Sequence, residues 1–267
     1  MPYPPEKQDL LLELLHRNDA TYHQHLNRLA PQLTDVVTMT HVWGNNTFPT
    51  FDALALWTTL KEYKPQRIVE VGSGRSTMIM LEARKRGLIQ SHITCIDPDD
   101  HRNNRTLSKG YWNECNTYIG APVQTVDPAL FEELNAGDLL FVDGSYICSY
   151  GSDVPFTLLE IYPRLKPGVI IHNHDILWPF DYPVAWHKQG RGYNEHYLMG
   201  VQMLADQGRR YKILLPVRYL LSQGFEASLH DWTVAAKSVG MEFSGSSEQS
   251  KAFMGYQGTG FWMEVLQ

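Results

Sequence analysis

Cysteine is scarce in this chain. Cys95, Cys115 and Cys148 are the three in 267 residues, and an odd number without a C-x-x-C pair gives no basis for a disulfide framework or a thiolate zinc site. A reducing cytoplasmic setting fits that usage. Positive charge is also limited: 23 Lys and Arg stand against 29 Asp and Glu, a formal charge of −6 with a pI near 6.0. Polyanion binding usually needs a clustered basic face. The clusters present, Arg84-Lys85-Arg86 and Arg209-Arg210, each end a predicted helix, where cations complement the dipole, so no nucleic-acid partner is expected. No run approaches the roughly 18 apolar residues of a membrane span. The first residues, M-P-Y-P-P-E-K-Q-D, have neither the basic nor the apolar part of a secretory leader, so a soluble protein with no membrane partner is expected. G-x-S-x-G and G-x-x-x-x-G-K-[ST] are missing too, which sets aside hydrolases with a nucleophile elbow and P-loop NTPases.

What is present suffices for a full core: 43% of the residues are hydrophobic, enough for one large domain with a modest appendage. Residues 6–17 and 19–29 read as helices, the second closed by Pro31, and a third starts after Thr50 as cap, with Phe51, Leu54, Ala55 and Leu60 as its apolar stripe. From Arg67 the texture becomes β-branched strands alternating with helices, the pattern of a doubly wound α/β fold with a mostly parallel sheet. Strands are expected at 67–71, 92–97, 123–126, 139–143 and 169–172, with helices at 76–86, 101–112, 128–135 and 154–165 between or beside them. Asp127 and Pro128 form a favoured start for the third of these. A last helix over 194–207 should bury Tyr197, Leu198, Val201 and Leu204; strands at 211–215 and 260–266 then pair antiparallel around an insertion at 217–259. The division expected is a helical extension over 1–63 and an α/β domain over 64–267, without internal repeats.

The stretch R-I-V-E-V-G-S-G-R-S-T at 67–77 is a buried strand running into a Gly-x-Gly turn that opens a helix. Such a turn lets backbone approach a ligand and offers free amides to an electron-rich group; it also serves as a tight connection that binds nothing. The third glycine of the dinucleotide fingerprint is replaced by Thr77, which weakens a pyrophosphate reading. Glu70 lies two positions before the first glycine, and Asp97 ends the second strand, where a carboxylate can accept both hydrogen bonds of a ribose diol.

In these features the sequence resembles the class I S-adenosylmethionine-dependent methyltransferases, over about residues 67–266. The blocks F-V-D-G-S-Y at 141–146, L-K-P-G-V-I-I-H-N-H-D at 165–175 and W-P-F-D-Y-P at 178–183 are similar to one bacterial subgroup of them. The resemblance implies a Rossmann-like seven-stranded sheet with an antiparallel last strand, and S-adenosyl-L-methionine as cofactor. Glu70, Gly72, Ser73, Gly74 and Ser76 would line its methionine part, Asp97 its ribose and Asp127 its adenine edge, with Asp143 at its border.

The fifth strand runs V-I-I-H-N-H-D at 169–175, so its carboxyl end, where ligands bind in this topology, carries His172, Asn173, His174 and Asp175 beside Asp143. Metal-assisted O-methyltransferases, which the chain resembles, hold a divalent ion at positions matching Asp143, His174 and Asp175. The imidazole would favour a metal other than Mg. A metal-free alternative makes His174 or His172 the general base, and a third reading is structural. Tyr146 would orient the acceptor or simply pack. The aromatic segments 41–48 and 178–186 suit a hydroxylated small-molecule acceptor, a sugar or natural product, or equally a packing cluster or the interface of a homo-oligomer. Methyl transfer to a hydroxyl is the expected activity; a metal-dependent hydroxylase on the same fold and a cofactor-binding scaffold protein without turnover are the alternatives.

Overall fold

The computed structural model describes residues 9–32, 35–36, 39, 48–98, 111–222 and 258–267. Helices α1 (Asp9–His16), α2 (Asp19–Leu29) and α3 (Thr50–Tyr63) precede a seven-stranded sheet of β1 (Arg67–Val71), β2 (His92–Ile96), β3 (Thr117–Ile119), β4 (Leu139–Val142), β5 (Ile170–Asn173), β6 (Tyr211–Pro216) and β7 (Phe261–Val265). Along the chain α4 (Arg75–Lys85) follows β1, α5 (Ala129–Glu132) precedes β4, and α6 (Asp153–Phe156) precedes β5. Helices α7 (Val184–Lys188) and α8 (Glu195–Asp206) precede β6, and α9 (Val217–Ser222) follows it.

The strand order is β3-β2-β1-β4-β5-β7-β6. The first five strands pair in parallel, and β7 runs antiparallel to both neighbours, as expected for a doubly wound sheet with a reversed last strand. The central strands are apolar and covered on both faces: β4, L-L-F-V, and β5, I-I-H-N, are buried at every position, the texture of a parallel sheet between helical layers. The order reverses between β1 and β4, and beyond the carboxyl ends of the strands at such a point is where ligands bind in sheets of this kind. The ladder persists past the strands, with N–H donors of Gly72 to Ile96, Asp143 to Val71 and His174 to Val142, each 2.9 Å. Four strand ends thus leave the sheet in register, side by side.

The N-terminal helices share the core with the sheet. Leu11, Leu14, Leu15, Tyr22 and Leu29 belong to the same apolar cluster as the strand residues, and Tyr219 of α9 donates to Asp19 Oδ1 at 2.6 Å. Helix α3 is buried nearly all round, Phe51 to Thr58 without a break.

Several expectations are corrected. Residues 123–126 are not a strand: Pro122 leads into a 3-10 turn at Val123–Thr125, and the edge strand is Thr117–Ile119. Thr50 is the first residue of α3, with Pro49 in the cap position. The segment 154–165 begins as α6 and continues as a π turn and a 3-10 turn ending at Arg164. Helix α8 buries Glu195, His196, Met199, Gly200 and Met203, while Tyr197 and Val201 are 43% and 69% exposed. Gly200 sets that face, since a Cβ there would touch Leu11 and Trp178 at 3.4–3.5 Å. Most of the helix expected at 101–112, and the greater part of the 217–259 insertion, lie outside the described residues; a 3-10 turn spans Tyr111–Glu114.

Candidate active site

Gly72 begins the turn after β1 with φ +84, and a Cβ there would lie 2.1 Å from the carbonyl oxygen of Asp143. Backbone crossing this close admits only glycine. At Gly74 a Cβ would meet nothing among the described residues within 4 Å, so this glycine has an open side toward them. Between and behind them, Glu70 is fully buried. It accepts Ser76 Oγ–H at 2.5 Å, Thr77 Oγ1–H at 2.6 Å and Cys95 Sγ–H at 3.4 Å, and burial pushes its carboxyl up to about 7 against these donors. Thr77 Oγ1 in turn accepts Gly74 N–H at 2.9 Å. Glu70, Ser76 and Thr77 therefore brace the turn from beneath. Asp97, just past β2, accepts from Ser73 through its N–H at 3.0 Å and its Oγ–H at 2.8 Å, fixing the turn from the opposite side. Asp127 is exposed and accepts Ala129 N–H at 2.9 Å, the start of α5.

Next to this turn, the ends of β4 and β5 form an acidic ledge. Tyr146, in the left-handed region at φ +61, donates its phenol to Asp143 Oδ1. Burial, followed by the charges of Asp143 and Asp175, holds that phenol well above its usual range, so it stays a donor. The backbone carbonyl of Tyr146 accepts Asn194 N–H at 2.9 Å, tying the ledge to the start of α8. Asp175 is also left-handed, φ +55. Its side chain is 14% exposed and accepts Thr259 Oγ1–H at 2.8 Å. Burial raises its carboxyl above the ordinary range, and His174 works against that shift.

The two histidines divide. His172 is fully buried, stacked on Phe141 at 4.0 Å between centroids and packed against Trp262 at 4.4 Å. Neither of its ring nitrogens has a hydrogen-bond partner among the described residues, and burial keeps it neutral, far below 6.5. It lies in the core. His174 is 3% exposed, 5.3 Å from the Phe48 ring, with Nε2 3.5 Å from Thr259 Oγ1 and 3.9 Å from Asp175 Oδ1. Among the described residues no three His, Cys, Asp or Glu side chains come together as a donor set, and Tyr146 and Thr259 already occupy oxygens of Asp143 and Asp175.

Two buried carboxylates behind the ledge were invisible in sequence. Asp52, in the first turn of α3, accepts Thr259 N–H at 3.0 Å and Gly260 N–H at 2.9 Å, and burial raises it to about 6. It therefore seats the residue that holds Asp175. Glu195, 2% exposed at the start of α8, lies 3.5 Å from Asn173 Nδ2, and Asn173 accepts Tyr162 O–H at 2.7 Å. Burial, then the charges of Asp153, Asp143 and Asp175, push Glu195 up to about 8. Nothing in the sequence neighbourhood of Asp52 points to partners more than 200 positions away.

The rim is aromatic: Tyr193 lies 4.6 Å from Tyr146 and 5.7 Å from Trp186, and the Arg191 guanidinium lies over Trp186 at 4.9 Å. Trp178 is instead core, donating to the His196 carbonyl at 3.1 Å. Residues 41–47 lie outside the described residues.

Residues 69–176, spanning β1 to just past β5, match the family described as a methyltransferase domain. Over that span the chain is similar to methyltransferase domains. A protein of Archaeoglobus fulgidus is 36% identical over 92 residues, 34% of this chain and 41% of its own length. Among solved structures, an S-adenosylhomocysteine-bound methyltransferase of Podospora anserina is similar at 18% identity, covering 81% of this chain and 94% of its own, with a TM-score of 0.43. A Haemonchus contortus phosphoethanolamine N-methyltransferase in complex with phosphomonomethylethanolamine and S-adenosylhomocysteine is similar at 13% identity, covering 88% and 60%, with a TM-score of 0.41. Likeness at this level says nothing about the acceptor. No helix among the described residues is long and apolar enough to cross a membrane.

Proposed function

We propose that the protein transfers a methyl group from S-adenosylmethionine to a hydroxyl of a small molecule, without a metal. The observation that carries this reading is the alignment of the open side of Gly74 and the Asp97 carboxylate with the Asp143, Tyr146 and Asp175 ledge along adjacent strand ends. Gly72, Ser73 and Gly74 would receive the methionine part of the cofactor, and Asp97 its ribose. Glu70 and Ser76 act from beneath the turn, because their polar atoms are engaged with each other. Asp127, exposed after the β3 side of the crevice, is kept as the adenine contact.

The sulfonium already supplies a good leaving group, so the protein must align the acceptor oxygen behind the methyl and take up its proton. Asp175 is the candidate base: its carboxyl is raised above the ordinary range by burial and is partly exposed. Thr259 and His174 would orient it, while Tyr146, whose one O–H is given to Asp143, would present its phenol oxygen to the acceptor. Tyr193, Trp186 and Arg191 offer a flat aromatic rim suited to a ring-bearing acceptor, a sugar or natural product. Incubation with methyl-labelled cofactor and a host metabolite extract should give a labelled product, unchanged by a chelator. Asp175→Asn should lower the turnover at least about 100-fold with cofactor affinity retained, and the wild-type rate should rise with pH as Asp175 loses its proton. Full activity in Asp175→Asn, or loss of transfer on chelation, would overturn the assignment.

A further inference from the structure

Beneath the glycine turn two thiols meet that the chemistry above does not use. Cys95, on β2, is fully buried, and Cys115, two residues before β3, is half-exposed. Their sulfurs are 3.3 Å apart. Cys95 also donates to Glu70 Oε2 at 3.4 Å, the same oxygen that accepts Thr77 Oγ1–H at 2.6 Å. Thr77 holds the amide of Gly74. A thiol pair is therefore one carboxylate and one hydroxyl removed from the backbone that borders the open side of the turn.

We propose that Cys95 and Cys115 are an oxidation site for hydrogen peroxide, and that closing their disulfide loosens the cofactor turn. The second half rests on the cofactor reading above; the first does not. In the first step the more accessible Cys115 sulfur attacks the peroxide: an S–O bond forms, the O–O bond breaks, and the departing oxygen leaves as water with the thiol proton, giving a sulfenic acid. The Cys95 sulfur then attacks the Cys115 sulfur; an S–S bond forms, the S–O bond breaks, and hydroxide leaves with the Cys95 proton as water. Two thiols lose two electrons in total and one peroxide becomes two waters. The sulfurs need to close only from 3.3 Å to the roughly 2.0 Å of a disulfide. Cys148 is not part of the pair: it lies in the stretch after β4, where its backbone N–H donates to Asn194 at 2.5 Å.

The disulfide has no S–H. Glu70, fully buried, would lose one of its three side-chain donors, and the Cys95 sulfur would move toward Cys115. Thr77 and Ser76 would then share a less constrained carboxylate, and the Gly74 amide would be held less firmly.

The test is titration calorimetry with S-adenosylhomocysteine on the reduced full chain, on the same protein after hydrogen peroxide, and after subsequent reduction with a dithiol, with peptide mass mapping of each sample. The expected result is a Cys95–Cys115 peptide pair two hydrogens lighter, binding weakened roughly five-fold, the effect of one hydrogen bond of ordinary net strength, and full recovery on reduction. Cys115→Ser should bind as the reduced wild type does and show no response to peroxide. Recovery of Cys115 as sulfinic acid with Cys95 still a thiol would refute the pair. A mapped disulfide with unchanged affinity would refute the coupling, as would equal peroxide sensitivity in Cys115→Ser. Reduced protein that binds no S-adenosylhomocysteine would refute the cofactor reading and the coupling with it, while the mass map still decides the disulfide.

Discussion

Gly72→Ala is expected to leave little stably folded protein, whereas Gly74→Ala, two residues on, should melt close to the wild type. At Gly72 the added methyl would stand 2.1 Å from the Asp143 carbonyl oxygen, at φ +84. That oxygen cannot retreat cheaply, because the Asp143 N–H is committed to Val71 at 2.9 Å and its neighbours are buried strand. Left-handed backbone costs a non-glycine residue about 1–2 kcal/mol, and forced overpacking adds about 1–3 kcal/mol or more. Together these take up much of a typical stability of about 5–15 kcal/mol. At Gly74 the methyl would meet nothing among the described residues within 4 Å, and a change of under about 1 kcal/mol is expected there. Urea midpoints of the two variants check this; equal midpoints would mean that the turn does not have the geometry described.

The second large effect concerns Glu195. Its carboxyl is raised from 4.5 to about 8, chiefly by burial and then by the charges of Asp153, Asp143 and Asp175. An acid whose folded value lies above its unfolded value favours folding while both states are protonated. That contribution is complete below about pH 4.5 and is lost as pH rises through about 8. The limit of the effect is on the order of 5 kcal/mol at about 1.36 kcal/mol per unit. Glu195→Gln removes the titration while keeping shape and a partner for Asn173. The variant should match the wild type at pH 4.5 and exceed it clearly at pH 8.5 in denaturant midpoint. Asp52 and Glu70, raised to about 6 and about 7, act in the same sense and remain, so the variant keeps a shallower decline. A variant less stable at pH 8.5 would show that Glu195 is ionised and paired.

Features set by local physics were legible in the sequence. The strand R-I-V-E-V is the observed β1 to the residue, because an apolar run ended by Gly-x-Gly can be little else between two helical layers. Asp143, His174 and Asp175 were likewise placeable at one end of the sheet from the parallel order alone. What failed needed partners far away in sequence. Thr117–Ile119 is a three-residue edge strand, half-buried throughout, with no alternation to betray it, and Val123 and Val126 drew the strand assignment although Pro122 starts a turn. The face of α8 turned on the smallness of Gly200 against Trp178. His172 and His174 look alike on paper. Stacking on Phe141 takes one of them into the core, while Thr259, seated by Asp52 across the chain, meets the other. The thiol pair is separated by twenty positions and shows no motif.

The central claim is that the turn after Val71 receives the adenosyl cofactor on the open side of Gly74. Titration calorimetry of S-adenosylmethionine into the wild type and into Gly74→Asp tests it most directly, with a thermal melt of each to establish folding. The account requires one-to-one binding by the wild type and its loss in a Gly74→Asp protein that remains folded, because the carboxylate would fill the space the methionine part needs. Binding of equal strength in both, or no binding by a folded wild type, would contradict it.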